Sequence, residues 1–254
     1  MALYDRIGLN YAELRRPDPR IAAMIDAALG DAATVVNVGA GTGSYEPTDR
    51  GVLAVEPSDV MIAQRPARAA PCLRGTAEVL PLADKSVDAA MGVLTFHHWT
   101  DQARGLAEMA RVARKRIVLL SWVPDEGPFW LTEDYFPEIM VMDRQTFPAT
   151  PIMTALLERV IGPVTVTPVP TPHDCTDGVL GAYWRRPEAY LIPEVRSAIS
   201  SFSQFDAEPG LARLRADLDG GRWLECNGDL MGREALDVGY RIFRCEIGRP
   251  PDQP

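Results

Sequence analysis

The sequence predicts an α/β fold built on a doubly wound, mostly parallel sheet. Three observations predict it. Short apolar runs alternate with helix-like stretches along the first 122 residues. The first of the clear runs ends abruptly in Gly39-Ala40-Gly41-Thr42-Gly43. The next ends in an acid, Glu56, seventeen residues after Gly39.

The elements follow in order. Asp18-Pro19 starts a helix, because aspartate caps free N–H groups and proline suits the first turn. Ile21, Met24, Ile25, Ala28 and Leu29 recur at helical spacing, and Gly30 supplies a stop. Thr34 to Val38 is a β-branched strand, and Val52 to Val55 is a second. Ser58 caps a helix through Met61 and Ile62 that Pro66 ends. Pro71 to Arg74 is a third strand. Val87 to Thr95 is a fourth, apolar on both faces as buried parallel strands are. Thr100 or Asp101 opens a helix through Leu106, Met109 and Val112, and Arg116 to Ser121 is a fifth strand. Residues 123–149 are rich in proline and aromatics and show no clean period. A helix is expected over Met153 to Ile161 and a strand over Val164 to Val169. The pattern is then mixed, with helix clearest at Pro187 to Phe205 and Leu211 to Leu218. Tyr240 to Ile247 alternates like a last strand, with Ile242, Arg244 and Glu246 facing one side and Phe243, Cys245 and Ile247 the other.

Bulk properties narrow the function. The 254 residues suffice for one large domain, or for a domain with an insertion. A net charge of −9 argues against nucleic acid, whose phosphates need a basic face. No apolar run is long enough to span a membrane, and the start lacks the pattern of a signal peptide. Cys72, Cys175, Cys226 and Cys245 are widely spaced, which fits reduced thiols in a cytoplasm better than disulfides or zinc. No metal site is expected, and the protein is expected as a monomer or homodimer.

A glycine cluster between strand and helix lets the backbone turn sharply and lets a ligand approach main-chain N–H groups. A carboxylate at the end of the next strand can accept both hydroxyls of a ribose. Together they point to a nucleoside cofactor. The spacing is G-x-G-x-G, without the ending expected of dinucleotide binders, so a nicotinamide enzyme ranks last.

The stretch Val35 to Gly43 resembles the first motif of class I S-adenosylmethionine-dependent methyltransferases. Leu53-Ala54-Val55-Glu56-Pro57-Ser58 with Met61 is similar to the block that follows it. The run from Gly75 to Asp88 resembles the A-E-x-L-P-F-x-D-x-S-F-D block of the small-molecule, trans-aconitate methyltransferase-like branch, and His97-His98-Trp99 its H-H-W block. The resemblance covers about residues 1–122. It implies a Rossmann-like, seven-stranded sheet with an antiparallel last strand and a helical cap inserted before it. The expected division is a cofactor domain of residues 1–169 and 238–248, with covering helices at 1–30, a cap at 170–237 and a disordered tail at 249–254.

The resemblance also implies roles. Gly39, Gly41 and Gly43 lie near the methionine part of S-adenosylmethionine, Glu56 holds the ribose, and Ser58 and Met61 flank the adenine. Ala77 and Glu78 meet its edge, and Leu94 and Thr95 lie under the sulfonium. Ala40 and Pro57 complete these contacts. Asn37 stands where the family has an acid, and supplies an amide without charge. Tyr11 covers the site, and Arg15 or, by preference, Arg16 pairs with the cofactor carboxylate. S-adenosylhomocysteine is the implied product.

Methyl transfer needs positioning more than catalytic groups, so a base is needed only where the acceptor must lose a proton. The candidates are His97 and His98, with His98 preferred, and His173 with Asp174 or Asp177 as orienter, beside the aromatic pair Tyr183-Trp184. Trp122, Trp130, Tyr183 and Trp184 are expected to wall a substrate pocket. The expected function is O-, N- or C-methylation of a small molecule of secondary metabolism. A cyclase or lyase using the same cofactor, or a non-catalytic binding protein, are the alternatives.

Overall fold

The computed structural model describes residues 15–248. Tyr11 and the expected tail therefore lie outside the described residues. Helix α1 (Pro19–Leu29) begins as expected: the Asp18 carboxylate accepts the Arg20 backbone N–H at 2.9 Å, and Gly30 ends the helix at φ 55°. Its Ile21, Ile25 and Leu29, four residues apart, pack on the sheet.

Seven strands form one sheet in the order β3-β2-β1-β4-β5-β9-β6. They are β1 (Thr34–Val38), β2 (Gly51–Glu56), β3 (Cys72–Arg74), β4 (Val87–Val93), β5 (Ala113–Trp122), β6 (Val164–Pro168) and β9 (Tyr240–Glu246). The first five pair in parallel, and β9 runs antiparallel between β5 and β6. The order reverses at β1, whose neighbours are β2 and β4, and ligands bind at such a switch point.

Alternate residues of the central strands feed two cores. Val35, Ala89, Met91, Val118 and Ile242 face α1. Val36, Ala90, Ile117, Leu119, Phe243 and Cys245 face α3 (Gln102–Val112) and α5 (Thr150–Val160). The expected alternation of Ile242 against Phe243 and Cys245 is present.

Two regions depart from the pattern. Residues 123–149, read as patternless, contain a π-helical turn (Leu131–Tyr135) and helix α4 (Pro137–Thr146). Within α4 only Ile139 and Asp143 are buried. A helix that buries a carboxylate shows no apolar period, which is why the sequence conceals it. The helical reading over 187–205 breaks into 3-10 turns at Pro187–Leu191 and Ser200–Ser203 around the short α6 (Pro193–Ser197). Helices α7 (Glu208–Asp219) and α8 (Arg222–Asn227) follow. A small ladder of β7 (Thr171–Pro172) and β8 (Ala235–Leu236) ties this segment where it leaves the sheet and returns.

An aromatic cluster centred on Trp130 fills the segment. Its ring meets Tyr135, Tyr190 and Trp223 edge-on, with centroids 5.3–5.8 Å apart. The Trp130 indole N–H donates to the Trp184 carbonyl at 2.9 Å, and the Trp184 indole donates to the Thr171 carbonyl at 2.9 Å. Trp184 is fully buried. Trp184→Ala is expected to cost about 3–5 kcal/mol of stability in urea denaturation, as removal of a buried tryptophan does. A loss below 1 kcal/mol would show that the cluster does not hold the segment.

Candidate functional site

The loop after β1 is shaped by glycine. Gly39, Gly41 and Gly43 adopt φ values of 65°, 52° and 94°. A Cβ on Gly39 would lie 2.0 Å from the Thr95 hydroxyl, so no other residue fits there without a shift. The Gly39 and Ala40 N–H groups donate to the Val55 carbonyl at 2.8 and 3.1 Å, which fastens the loop to the end of β2.

Glu56 closes β2 and is buried. One of its oxygens accepts the Gly41 N–H at 2.8 Å, and the other accepts the Ser58 N–H at 2.9 Å. Ser58 in turn caps α2 (Asp59–Ala63) by accepting the Met61 N–H. Asn37 on β1 donates through Nδ2 to Glu46 at 3.3 Å. Its Oδ1 is buried and has no hydrogen-bond partner among the described residues. Glu46 is held by Arg65 at 2.6 Å, and Arg65 also donates to the Gly41 carbonyl at 3.0 Å. The contact with Glu46 fixes the amide so that its acceptor oxygen is the one left over.

These groups border a cavity of about 350 Å³, within the roughly 300–1,000 Å³ typical of small-molecule sites. Of the expected cofactor residues, Asn37, Gly39, Ala40, Gly41, Glu56 and Pro57 line it. So do Ser58, Met61, Ala77, Glu78, Leu94 and Thr95. His98, expected as a catalytic group, lines it too. Glu78 is otherwise engaged, since its carboxylate accepts the Thr100 and Asp101 N–H groups at the start of α3. Gly43 and Arg16 border an adjoining cleft instead, and Arg16 is exposed.

Arg15 lines the cavity in place of Arg16. It pairs at 2.6 Å with Asp177, which is almost completely buried and also accepts the Tyr45 hydroxyl at 2.9 Å. The sequence reading missed Tyr45, Thr42, Ser44 and Trp99 on this wall. The aromatic ring of Trp99, next to His97-His98, was the one available signal.

A second, smaller cavity of about 80 Å³ adjoins the first, and Arg15 and Leu94 border both. Leu94 holds φ 50°, a left-handed conformation that costs a non-glycine residue about 1–2 kcal/mol. The smaller cavity is walled by Trp122, Phe147, Leu180 and Ile199, with His97, Asp143, Ser201 and Tyr240 as polar members.

A family model described as a methyltransferase domain matches residues 36–120. A protein of Anabaena variabilis, described as a methyltransferase from an antibiotic biosynthesis pathway, is 36% identical. It superposes with a TM-score of 0.84 over 91% of this chain and 98% of its own. The chain belongs to the class I S-adenosylmethionine-dependent methyltransferases. An uncharacterised methyltransferase of Mycobacterium tuberculosis H37Rv is 41% identical over 133 residues, 46% of this chain and 53% of its own length. The match to these curated relatives thus spans about half their length. Geranyl diphosphate C-methyltransferase of Streptomyces coelicolor shares the fold, at 14% identity and a TM-score of 0.52 over 89% of this chain and 74% of its own.

The methyltransferase does not bring His173 and Asp174 to either cavity. His173 sits at the β7–β8 ladder, where its Nδ1 and backbone N–H both lie near the Glu234 carbonyl, at 3.2 and 2.9 Å. Asp174 is exposed and pairs with Arg20 of α1 at 2.6 Å. Nearby, the Thr176 N–H donates to the Asp18 carboxylate at 3.2 Å. The stretch is a turn that docks the inserted segment on the start of α1. Cys175 is buried within it, and burial pushes its thiol up to about 12. Of the expected pocket aromatics, Trp122 borders the smaller cavity, whereas Trp130, Tyr183 and Trp184 line neither. The first and last of these belong to the cluster described above.

His97 and His98 occupy a 3-10 turn after β4. His98 has accessible surface beside the larger cavity, yet the surrounding protein disfavours its cation and lowers its pKa to about 4. His97 is held well below the ordinary value by burial and by its neighbour. Asp143 behaves in the opposite way. Burial raises its pKa to about 7, and the Ser201 hydroxyl offsets this only in part. No ion-pair partner reaches it among the described residues. Arg15, His97 and Tyr240 are the other titratable groups on its cavity; His97 is held well below its ordinary value, and burial pushes the Tyr240 hydroxyl up.

An acid whose pKa is higher in the folded than in the unfolded chain keeps its proton longer in the folded state. Its burial therefore costs stability as pH rises from about 4 to 7. Asp143→Asn is expected to stabilise the methyltransferase at pH 8, by at most about 4 kcal/mol, and to change it little at pH 4. Urea denaturation at the two pH values checks this. The same shift at both would show that Asp143 does not titrate as a buried acid.

Proposed function

We propose that the protein transfers a methyl group from S-adenosylmethionine to a small molecule. In this reading the 350 Å³ cavity holds the cofactor and the 80 Å³ cavity receives one end of the acceptor. The single observation that carries it is the meeting of Glu56, the glycine turn and the unpartnered Asn37 Oδ1 at the ends of β1 and β2.

The residues suit the cofactor group by group. A buried carbonyl oxygen without a partner is costly, and the ammonium of the methionine part would satisfy it. Glu56 lines the cavity at the end of β2, where its carboxylate, fixed by the Gly41 and Ser58 N–H groups, suits the hydroxyls of a ribose. Met61 and Ala77 are buried and apolar beside them and suit an adenine ring. Gly39 and Gly41 let the chain lie against the ligand without a side chain between.

When bound, the cofactor supplies an electrophilic methyl group on a sulfonium. The protein's own task is then to hold an acceptor in line, keep water out and receive a proton where one must leave. Leu94, common to both cavities, stands where the two ligands would meet. The small volume of the second cavity favours a small molecule over a macromolecule, and the net charge of −9 speaks against nucleic acid. The kinship with a methyltransferase from an antibiotic biosynthesis pathway agrees with secondary metabolism.

Calorimetry with S-adenosylhomocysteine tests the reading. Binding is expected, and Glu56→Ala should weaken it about 10- to 150-fold, the worth of hydrogen bonds to a charged group. Circular dichroism of the variant checks its fold. No binding, or unchanged affinity in a folded variant, would sink the proposal.

A further inference from the structure

The smaller cavity holds two polar groups whose surroundings call for a ligand. Asp143 is a carboxylic acid with 4% of its surface exposed, on a helix that points it into a cavity walled by aromatic and aliphatic side chains. Charged groups are almost never buried in this way unless paired. The Ser201 hydroxyl is its hydrogen-bonding neighbour, and the one cation on the cavity wall among the described residues, Arg15, pairs with Asp177 at 2.6 Å and not with Asp143. Across the same cavity, the His97 Nδ1 is buried and has no hydrogen-bond partner among the described residues. Phe147 lies against the His97 ring, at 4.1 Å between centroids, and Trp122 meets Phe147 edge-on at 5.6 Å. A carboxylate among aromatic faces is the setting that recognises an ammonium group, by charge and by cation–π attraction.

We propose that the acceptor is a small amine whose nitrogen enters the 80 Å³ cavity and pairs with Asp143. This rests on the methyltransferase reading of the larger cavity and names the substrate class for it. The volume sets a limit. A dry cavity of about 150 Å³ admits benzene, so about half of that takes the amino end and a short stem. The rest of the molecule must leave by the open side of this cavity, so that the nitrogen stays toward Leu94 and the cofactor.

The same carboxylate serves the transfer. An ammonium nitrogen has no lone pair, so one N–H bond must break first, with the proton passing to a carboxylate oxygen of Asp143. The freed pair then forms the N–C bond to the donor's methyl carbon as the C–S bond breaks and leaves its electrons on sulfur. The products are an N-methylammonium, a neutral thioether and a protonated Asp143, which returns its proton to water. A group that titrates near neutrality is matched to this exchange, whereas both histidines hold protons too weakly.

Benzylamine and its uncharged analogue benzyl alcohol test the inference in the full-length protein, with and without S-adenosylhomocysteine. At pH 8 the amine is expected to bind at least tenfold more tightly than the alcohol. In Asp143→Asn this preference should fall to within twofold, with S-adenosylhomocysteine affinity unchanged. A second measurement needs no variant. At pH 5 benzylamine remains a cation while Asp143 takes up a proton, so the preference in the unmodified protein should shrink several-fold. An amine that binds no better than the alcohol at pH 8 overturns the inference. So does a preference that survives both the substitution and the lower pH. Failure of S-adenosylhomocysteine to bind the unmodified protein would instead strike the cofactor reading, and is read in a separate titration.

Discussion

Glu56 accepts the Gly41 and Ser58 N–H groups through its two oxygens, and this pair of bonds joins the two loops that frame the larger cavity. A carboxylate that is 6% exposed is costly unless it is hydrogen-bonded. Here the bonds come from backbone, so they also decide where the backbone goes. Gly41 is drawn toward β2 while Gly39 and Ala40 bond to Val55 one residue earlier, and Ser58 is placed to cap α2. Replacing the first glycine would drive a Cβ into Thr95, and so separate the loop from the end of β4. One acid and one glycine thus hold three strand ends at the spacing on which the cavity depends.

A second anchor lies across the cavity. Asp177, in the segment between β7 and β8, takes the Arg15 guanidinium and the Tyr45 hydroxyl together. Burial of such a pair is weak as a source of stability but strict about geometry, since losing one partner strands the other charge. The turn from His173 to Asp177 adds Arg20–Asp174 and Thr176–Asp18 on the same side. The inserted segment is therefore fixed to α1 and to the glycine loop by polar contacts, while its own interior is aromatic. That division keeps Val179, Leu180 and Ile199 in place as the wall of the smaller cavity.

The strands and the cofactor loop were legible because their signals are local. Val35 to Val38 is buried on both faces, and both the turn at Gly39 and the cap at Ser58 act within a few residues of their own position. The second cavity was not legible. Asp143 reads as a surface acid in a polar stretch, and only packing against residues near 180 and 200 buries it. His173-Asp174 misled for a related reason. A polar cluster beside aromatics describes a pocket wall, but it equally describes a turn that docks one segment on another. The Trp130 and Trp184 side chains were real signals of burial, spent on a core with their indole N–H groups paired to backbone. Arg15 and Arg16 are adjacent and alike in sequence, and only the partner Asp177, 162 residues away, tells them apart.

The kinship divides along the same line as the chemistry. The methyltransferase-domain match covers residues 36–120, which takes in nearly every residue of the larger cavity. Of the smaller cavity it reaches only Leu94 and His97, since Trp122, Asp143, Phe147, Leu180, Ser201 and Tyr240 all come later. A shared cofactor asks for shared backbone geometry, and glycine turns with a strand-end acid supply it. An acceptor asks for a pocket of its own, which falls to segments that packing can reshape without disturbing the sheet. Family membership therefore speaks to the cavity that Glu56 organises. On the proposed reading the choice of acceptor falls to α4 and to the segment between β6 and β9, where the buried acid of Asp143 is the feature with the strongest chemical preference.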